Sequence, residues 1–252
     1  MRKFLFQLST SFNPLRWCLF AVTIALVAVV EVYGYINLSA SVAITFSSFE
    51  TAFVILSDPM ALAYIFLPLY LFLVCGLATH APFGTLALLR YKSRRQWLCH
   101  KWGLLVVYTA LFFGGLFAMV FTIASQAFPY QAVWSSDFIL LQVSLGQEVA
   151  NFIHSPLQTI GMSLLGAGLL YLFVGAVAMV CGLMRNSEPL ALAVALVLGL
   201  VTAGVCNYLL FPQRSLVVQS QQALVFGLLY LLLMALSMAM VGKVDLQFAK
   251  KG

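Results

Sequence analysis

Six apolar stretches, each close to twenty residues long, divide this chain, and no arrangement in water hides that much greasy surface. A helix rises about 1.5 Å per residue, so a run of this length matches the roughly 30 Å hydrocarbon core of a bilayer. The stretches fall at 17–36, 61–80, 103–124, 157–181, 190–210 and 223–241. Hydrophobic residues make up 63% of the 252 positions and charged ones 8%, with a mean hydropathy of +1.04. Soluble domains hold roughly 45–50% apolar residues. The expected fold class is therefore all-α: a polytopic membrane protein, one transmembrane domain over 1–252, with six transmembrane helices and amphipathic interfacial helices between them.

The thirteen Lys and Arg orient such a bundle. Six spans place both termini on one side. That side receives Arg2, Lys3 and Arg16, then Arg90, Lys92, Arg94, Arg95 and Lys101, then Arg185, then Lys243, Lys250 and Lys251, leaving Arg214 alone opposite. Positive charge resists translocation, so the basic side and both termini are expected to be cytoplasmic. Glu50, Asp58, Asp137 and Glu148 then lie outside. A net charge of +6 with no exposed basic domain does not indicate nucleic acid as a partner.

The segments between spans carry helical patterning. Residues 1–14 mix Arg2 and Lys3 with apolar side chains and suit an interfacial arm. The 17–36 run resembles the apolar part of a signal peptide, but its length and the lack of a small-x-small site favour a retained span. Val42, Phe46, Phe49, Phe53 and Leu56 recur at helical spacing, with Ser47, Ser48, Glu50, Thr51 and Ser57 elsewhere around the helix, which predicts an interfacial or re-entrant helix. Phe138, Leu141, Leu145, Val149 and Phe152 predict a second one. Pro59 marks a break, and Pro68 kinks the second span.

Few residues offer chemistry. No phosphate-binding Gly-x-x-x-x-Gly-Lys sequence occurs, nor do the nucleophile or zinc signatures of hydrolases. Glu31 and His80 are the only ionisable groups near span interiors, each close to a span end, so an intramembrane enzyme or an ion-coupled carrier is disfavoured. Cys18, Cys75, Cys99, Cys181 and Cys206 are scattered, and their spacing supports neither a disulfide framework nor a metal site. Small residues recur every four positions at Ala191, Ala195, Gly199 and Ala203, and again at Ala110, Gly114, Ala118 and Thr122. Such stripes let helix backbones approach closely in lipid, so both are expected to be buried against protein, within one chain rather than across a dimer.

The densest group of charges, Arg90-Tyr91-Lys92-Ser93-Arg94-Arg95-Gln96-Trp97-Leu98-Cys99-His100-Lys101-Trp102, stands between the second and third spans. On a helical projection it shows a basic edge of Arg90, Arg94 and Lys101 beside Tyr91, Leu98 and Trp102. Such a segment commonly anchors to anionic lipid. With six spans, both termini inside, an N-terminal arm and Arg90-Tyr91-x-Ser93-Arg94-x-x-Trp97 followed by Lys101, the chain resembles the permease subunits of ATP-binding-cassette transporters of the exporter-like type 2 class.

The resemblance implies a coupling helix over 85–102 that seats on a cassette ATPase through Arg90, Tyr91, Ser93, Arg94, Arg95, Trp97 and Lys101, with a minor contact at Arg185 and Glu188. It implies a dimer with a second or related permease, ATP and Mg on the partner ATPase and no cofactor or metal in this chain, which would not itself be an enzyme. Export of an amphipathic or lipid-like substrate across a plasma membrane, the bacterial cytoplasmic one, is the expected activity. Many members of that class carry a sizeable outer segment between the last two spans, whereas the long outer segments here come after the first and third. A non-transporting scaffold or immunity-type sensor is the alternative with the same topology.

Overall fold

The computed structural model describes Leu8 and residues 11–42, 44–58, 60–78, 93–145, 149–185, 188–207 and 216–249, with side chains described at Leu8 and over 11–42, 44–58, 60–75, 77, 93, 95–145, 149, 152–182, 189–201 and 223–239. Among these residues there are eight α-helices: α1 (Pro14–Val42), α2 (Ser48–Ser57), α3 (Leu67–Ala78), α4 (Arg94–Ala127), α5 (Ser136–Ser144), α6 (Pro156–Arg185), α7 (Glu188–Asn207) and α8 (Leu216–Ala249). A π-helical stretch, Ala61–Phe66, runs into α3, and a 3-10 turn, Val149–Phe152, precedes α6.

Three of these helices, α1, α4 and α6, are long and apolar enough to cross a membrane. The bent pair of α2 with 61–75, at 64° to each other, makes a fourth if it counts as one crossing. The helices α7 and α8 stand where the fifth and sixth spans are expected, and their apolar parts among the described residues, Pro189–Val201 and Ala223–Ala239, are shorter. The chain is an all-α, multi-pass membrane protein. Its lipid-facing surface is plain on α1, where Leu15, Leu19, Val22, Leu26 and Val29 lie exposed while Phe20, Ile24, Ala28 and Val32 form the buried stripe.

The break expected at Pro59 is organised by Asp58. Its carboxylate accepts from the Met60 and Ala61 N–H groups at 3.0 and 3.2 Å, and its carbonyl accepts from Leu62 N–H at 3.0 Å. One residue therefore ends α2 and caps the π-helical stretch beyond it. The distortion expected at Pro68 takes a defined form. Proline brings no N–H to the preceding turn, and the six residues before Leu67 wind as a π-helix, with Leu67 N–H reaching back to the Leu62 carbonyl. Tyr171 Oη of α6 donates to that same carbonyl at 2.5 Å.

The 61–78 segment is the pillar of the bundle. Thr109 Oγ1 of α4 donates to the Leu105 carbonyl at 2.8 Å, so the Tyr70 hydroxyl is the donor in its 2.8 Å bond to Thr109. The Tyr70 ring packs between Phe112 and Tyr171 at 5.4 and 5.3 Å. A Cβ on Gly175 of α6 would stand 2.6 Å from Tyr70 Oη and 3.1 Å from a Leu105 methyl, and one on Gly199 of α7 would stand 2.5 Å from a Leu67 methyl. These two glycines let α6 and α7 close on the pillar.

The two small-residue stripes part company. Ala191, Ala195 and Gly199 are buried against α3 and α6, as expected, while the side chain of Ala203 lies outside the described residues. Ala110, Gly114, Ala118 and Thr122 are all exposed, against expectation. The buried face of α4 is its other side, Leu105, Tyr108, Thr109, Phe112 and Leu116, where large rings meet α1 and the pillar.

A carbene precursor carried on a lipid acyl chain is expected to leave adducts at Ala110 and Ala118 and not at Ala191 or Ala195; equal labelling would remove the assignment of faces. Gly175→Ala is expected to lower stability in detergent by about 1–3 kcal/mol, the usual range for overpacking. Adding Tyr70→Phe, which removes the nearest clashing atom, should recover part of that loss, whereas Gly161→Ala, with open space around it, should cost nothing measurable in thermal denaturation.

Candidate functional site

The basic end of the bundle is built by the first two turns of α4. Ser93 is the N-cap, its Oγ accepting from Gln96 N–H at 3.3 Å. Arg94 and Arg95 then occupy the first turn, which holds no acidic residue. Positive charge at a helix N-terminus opposes the macrodipole and costs about 0.3–1 kcal/mol per residue where solvent does not screen it. Helix formation does not ask for arginines here, so their use lies with something outside the helix. The guanidinium-bearing Arg95, Gln96 and Cys99 are exposed.

The opposite side of the same turns is buried. Trp97, Leu98, Lys101 and Trp102 are each 9% exposed or less. Trp102 meets Tyr230 of α8 edge-on at 5.2 Å, and Tyr230 Oη donates to the Trp102 carbonyl at 3.4 Å. The Lys101 ammonium donates to the Leu77 carbonyl at 2.6 Å and lies 5.5 Å from the Trp97 ring. Leu77 belongs to the last turn of α3, whose carbonyls have no partner within the helix. A cation supplied by the neighbouring helix caps that end, in the favourable sense of the dipole. Arg16 of α1 reaches the same helix, donating to the Phe72 carbonyl at 2.9 Å with its charge 4.9 Å from the Phe72 ring.

This geometry revises the expected basic edge. From Arg94 onward the amphipathic segment and the third span are one continuous helix of 34 residues, not two helices. Lys101, expected on the exposed stripe, is turned inward, and Trp97 is packed rather than presented. Ser93 is a cap, and Arg95 is the expected docking residue whose side chain is seen exposed. Arg90 and Tyr91 lie outside the described residues, as do the side chains of Arg94, Arg185 and Glu188. Arg185 ends α6 and Glu188 begins α7, so that turn is short, as expected.

At the other end a compact cap covers the bundle, and Glu50 is its knot. Glu50 is 0% exposed. One carboxylate oxygen accepts from Ser47 N–H at 2.7 Å and the other from Ser135 N–H at 2.6 Å, while Ser47 Oγ accepts from Glu50 N–H at 3.2 Å. A capping box thus starts α2, and its spare oxygen holds the N-cap of α5, whose Ser135 Oγ accepts from Phe138 N–H. Ser48 N–H adds a bond to the Pro129 carbonyl at 3.0 Å. The polar residues expected on an outward face of α2 are therefore buried: Ser48, Glu50 and Thr51 point into the cap.

Aromatic rings fill the rest of the cap. Trp134 stacks on Phe138 at 5.4 Å, meets Phe152 edge-on at 5.3 Å, and donates from Nε1 to the His154 carbonyl at 2.7 Å. The second predicted amphipathic helix is shorter than its stripe: α5 ends at Ser144, so Phe138 and Phe152 are buried while Leu145 and Val149 are exposed. The Ser47-x-x-Glu50 spacing is the signal that could have found the knot, a capping box legible in the sequence but obscured by the amphipathic pattern around it.

Among the described residues no group of three or more His, Cys, Asp or Glu side chains is arranged to hold a metal ion. No family model matches the chain, and no curated protein or solved structure matches it significantly. What the chain does is therefore read from these two ends.

Lys101→Met keeps the aliphatic stem and removes the cation. It is expected to lower the denaturation midpoint by an amount equivalent to about 1–3 kcal/mol, the usual cost of orphaning a buried polar group, and to speed maleimide labelling of the buried Cys75. Glu50→Gln keeps one acceptor and turns an N–H₂ toward a backbone donor, so it should loosen the cap, read as faster proteolysis within 128–155 with the bundle intact. Wild-type protease resistance in that variant would remove Glu50 from its role.

Proposed function

We propose that the chain is the permease subunit of a transporter driven by a separate cassette ATPase. In this reading the membrane domain has six crossings, α7 and α8 supplying the last two, with both termini and the Arg94 end of α4 in the cytoplasm. The observation that carries it is the two-sided start of α4. Its inner side is locked to α3 and α8 through Lys101 and Trp102, and its outer side presents Arg95 and Gln96. A force applied to that exposed side reaches the pillar, and through a continuous helix reaches the cap. The docking set becomes Arg90, Tyr91, Arg94 and Arg95, with Ser93 shaping the helix start and Trp97 and Lys101 anchoring it from behind. Arg185 and Glu188 remain the minor contact.

The scarcity of charge within the bundle supports an amphipathic or lipid-like cargo, with export the direction that the family resemblance favours. A second copy or a related permease completes the complex in the plasma membrane, and ATP and Mg belong to the partner ATPase. A second reading, a scaffold or sensor that binds a partner without moving cargo, is favoured by one feature: the intramembrane hydroxyls of Tyr70, Thr109 and Tyr171 are all committed to internal bonds.

Arg94→Glu combined with Arg95→Glu is expected to lower co-purification of an ATPase subunit while membrane insertion is intact and thermal stability does not fall, since acidic residues suit a helix N-terminus. Full retention of the ATPase would overturn the docking assignment. An ATPase that binds but whose hydrolysis is unaffected by the reconstituted chain and by candidate amphipathic cargo would favour the scaffold.

A further inference from the structure

We propose that the cap over 128–155 is not an aqueous loop but is seated in the outer leaflet, with the exposed face of α5 and its flanks against lipid at the level of the headgroups and upper acyl chains. This placement holds whether or not an ATPase drives the protein.

The cap carries an apolar exterior as well as an aromatic interior. Val133, Leu140, Leu145, Val149, Ile153 and Leu157 are each more than half exposed, Ile153 at 78%. They lie on adjoining elements: Val133 and Ile153 are next in sequence to the residues of the Trp134 to His154 bond, α5 packs on the 3-10 turn, and that turn packs on α6. Water on such a surface would be costly, and exposed apolar area of this extent marks a site that something covers.

Three observations favour lipid as the cover. The first is continuity, since Leu157 begins the outward stripe of α6 that goes on through Leu165, itself 59% exposed on a membrane-crossing helix. The second is height. The Tyr35 ring on α1 meets Phe46 at 5.7 Å, and Phe46 meets Phe128 and Phe138 of the cap at 6.3 and 6.2 Å. The core of the cap is thus joined through Phe46 to Tyr35, which stands about 10 Å before the end of α1 at Val42 at about 1.5 Å per residue. The third is the set of tyrosines at this end. Tyr33, Tyr64 and Tyr130 are all exposed, and exposed tyrosines gather where the hydrocarbon meets the headgroups. Asp137, at the N-terminal turn of α5, is the one acidic side chain described on the cap between 128 and 155.

Spin labels on cysteines at Leu140 and Ile153, in the full chain reconstituted in phosphatidylcholine vesicles with the native cysteines replaced, report the depth. Both are expected to collide more with oxygen than with a water-soluble nickel chelate, in the same order as a label at Leu165. Nickel collisions that dominate would place the cap in water and overturn the proposal. Shielding from both reagents would overturn it too, because a second copy or another protein would then be the cover. The unmodified chain gives an independent readout: a phosphatidylcholine with a carbene precursor near its glycerol should leave adducts on peptides from 133–157. Adducts confined to the helices below, with none on that segment, would refute lipid contact.

Discussion

Every helix of this bundle that approaches the 61–78 segment does so by a bond to its backbone or by a fit against its side chains. In lipid no water completes an open carbonyl, and each unsatisfied group is costly. The last turn of this segment leaves carbonyls without a partner in the helix, so a donor is required there. Lys101 serves the open carbonyl of Leu77, while Tyr171 and Arg16 add second bonds to the carbonyls of Leu62, which already accepts from Leu67 N–H, and of Phe72 within the helix. The donors come from α6, α1 and α4, which are the three helices long enough to cross alone. Side-chain bonds to the backbone of one helix thereby tie three others to it. Glycines complete the arrangement, because Gly175 and Gly199 admit Tyr70 and Leu67 at distances that a methyl group would forbid.

The pillar also divides the molecule into two ends of different chemistry. At the basic end the charges do two jobs according to which way they face: Arg16 and Lys101 point inward onto carbonyls, and Arg95 points outward. At the cap end the buried charge is a carboxylate, and it takes backbone N–H groups instead of carbonyls. Glu50 and Lys101 are thus equivalent devices of opposite sign. Each saturates a helix terminus that its own chain segment leaves open, Glu50 at the starts of α2 and α5 and Lys101 at the end of α3.

The class of fold is legible in the sequence because a run of apolar residues near twenty long has few readings. The start of the second crossing at Ala61, the break before it and the buried stripe through Ala191, Ala195 and Gly199 are legible for the same reason. What stays hidden depends on which neighbour a face meets. The stripe through Ala110, Gly114 and Ala118 has the spacing of a packing seam, yet α4 turns its aromatic side inward, since Phe112, Tyr108 and Trp102 bury more surface than small residues and find ring partners on α1, α3 and α8. A helical projection sets Lys101 on an exposed edge because it knows nothing of the open carbonyl on α3. The cap misleads for a related reason: Ser47, Glu50 and Thr51 look like a wetted face until Ser135 arrives from 85 residues away.

The same bonds determine how motion would travel. A separate helix lying along the membrane surface needs a joint before it can move a span. Among the described residues the Arg94 end has none, for α4 runs unbroken from Arg94 to Ala127 and directly into the chain that carries Pro129, Trp134 and Ser135. Pro129 and Ser135 are the residues that bind Ser48 and Glu50. A rotation or tilt of α4 at its basic end therefore acts at once on the N-terminus of α2 in the cap. The same α4 is joined to α3 at both the Tyr70 to Thr109 and Lys101 to Leu77 bonds, so it moves with α3 as one body. With α2 held to α4 through the cap and α3 held to it through those two bonds, the three helices form one body, and the hydrogen bonds of Asp58 join α2 to the π-helical start of the pillar. A displacement at the cationic end would therefore carry the cap with it.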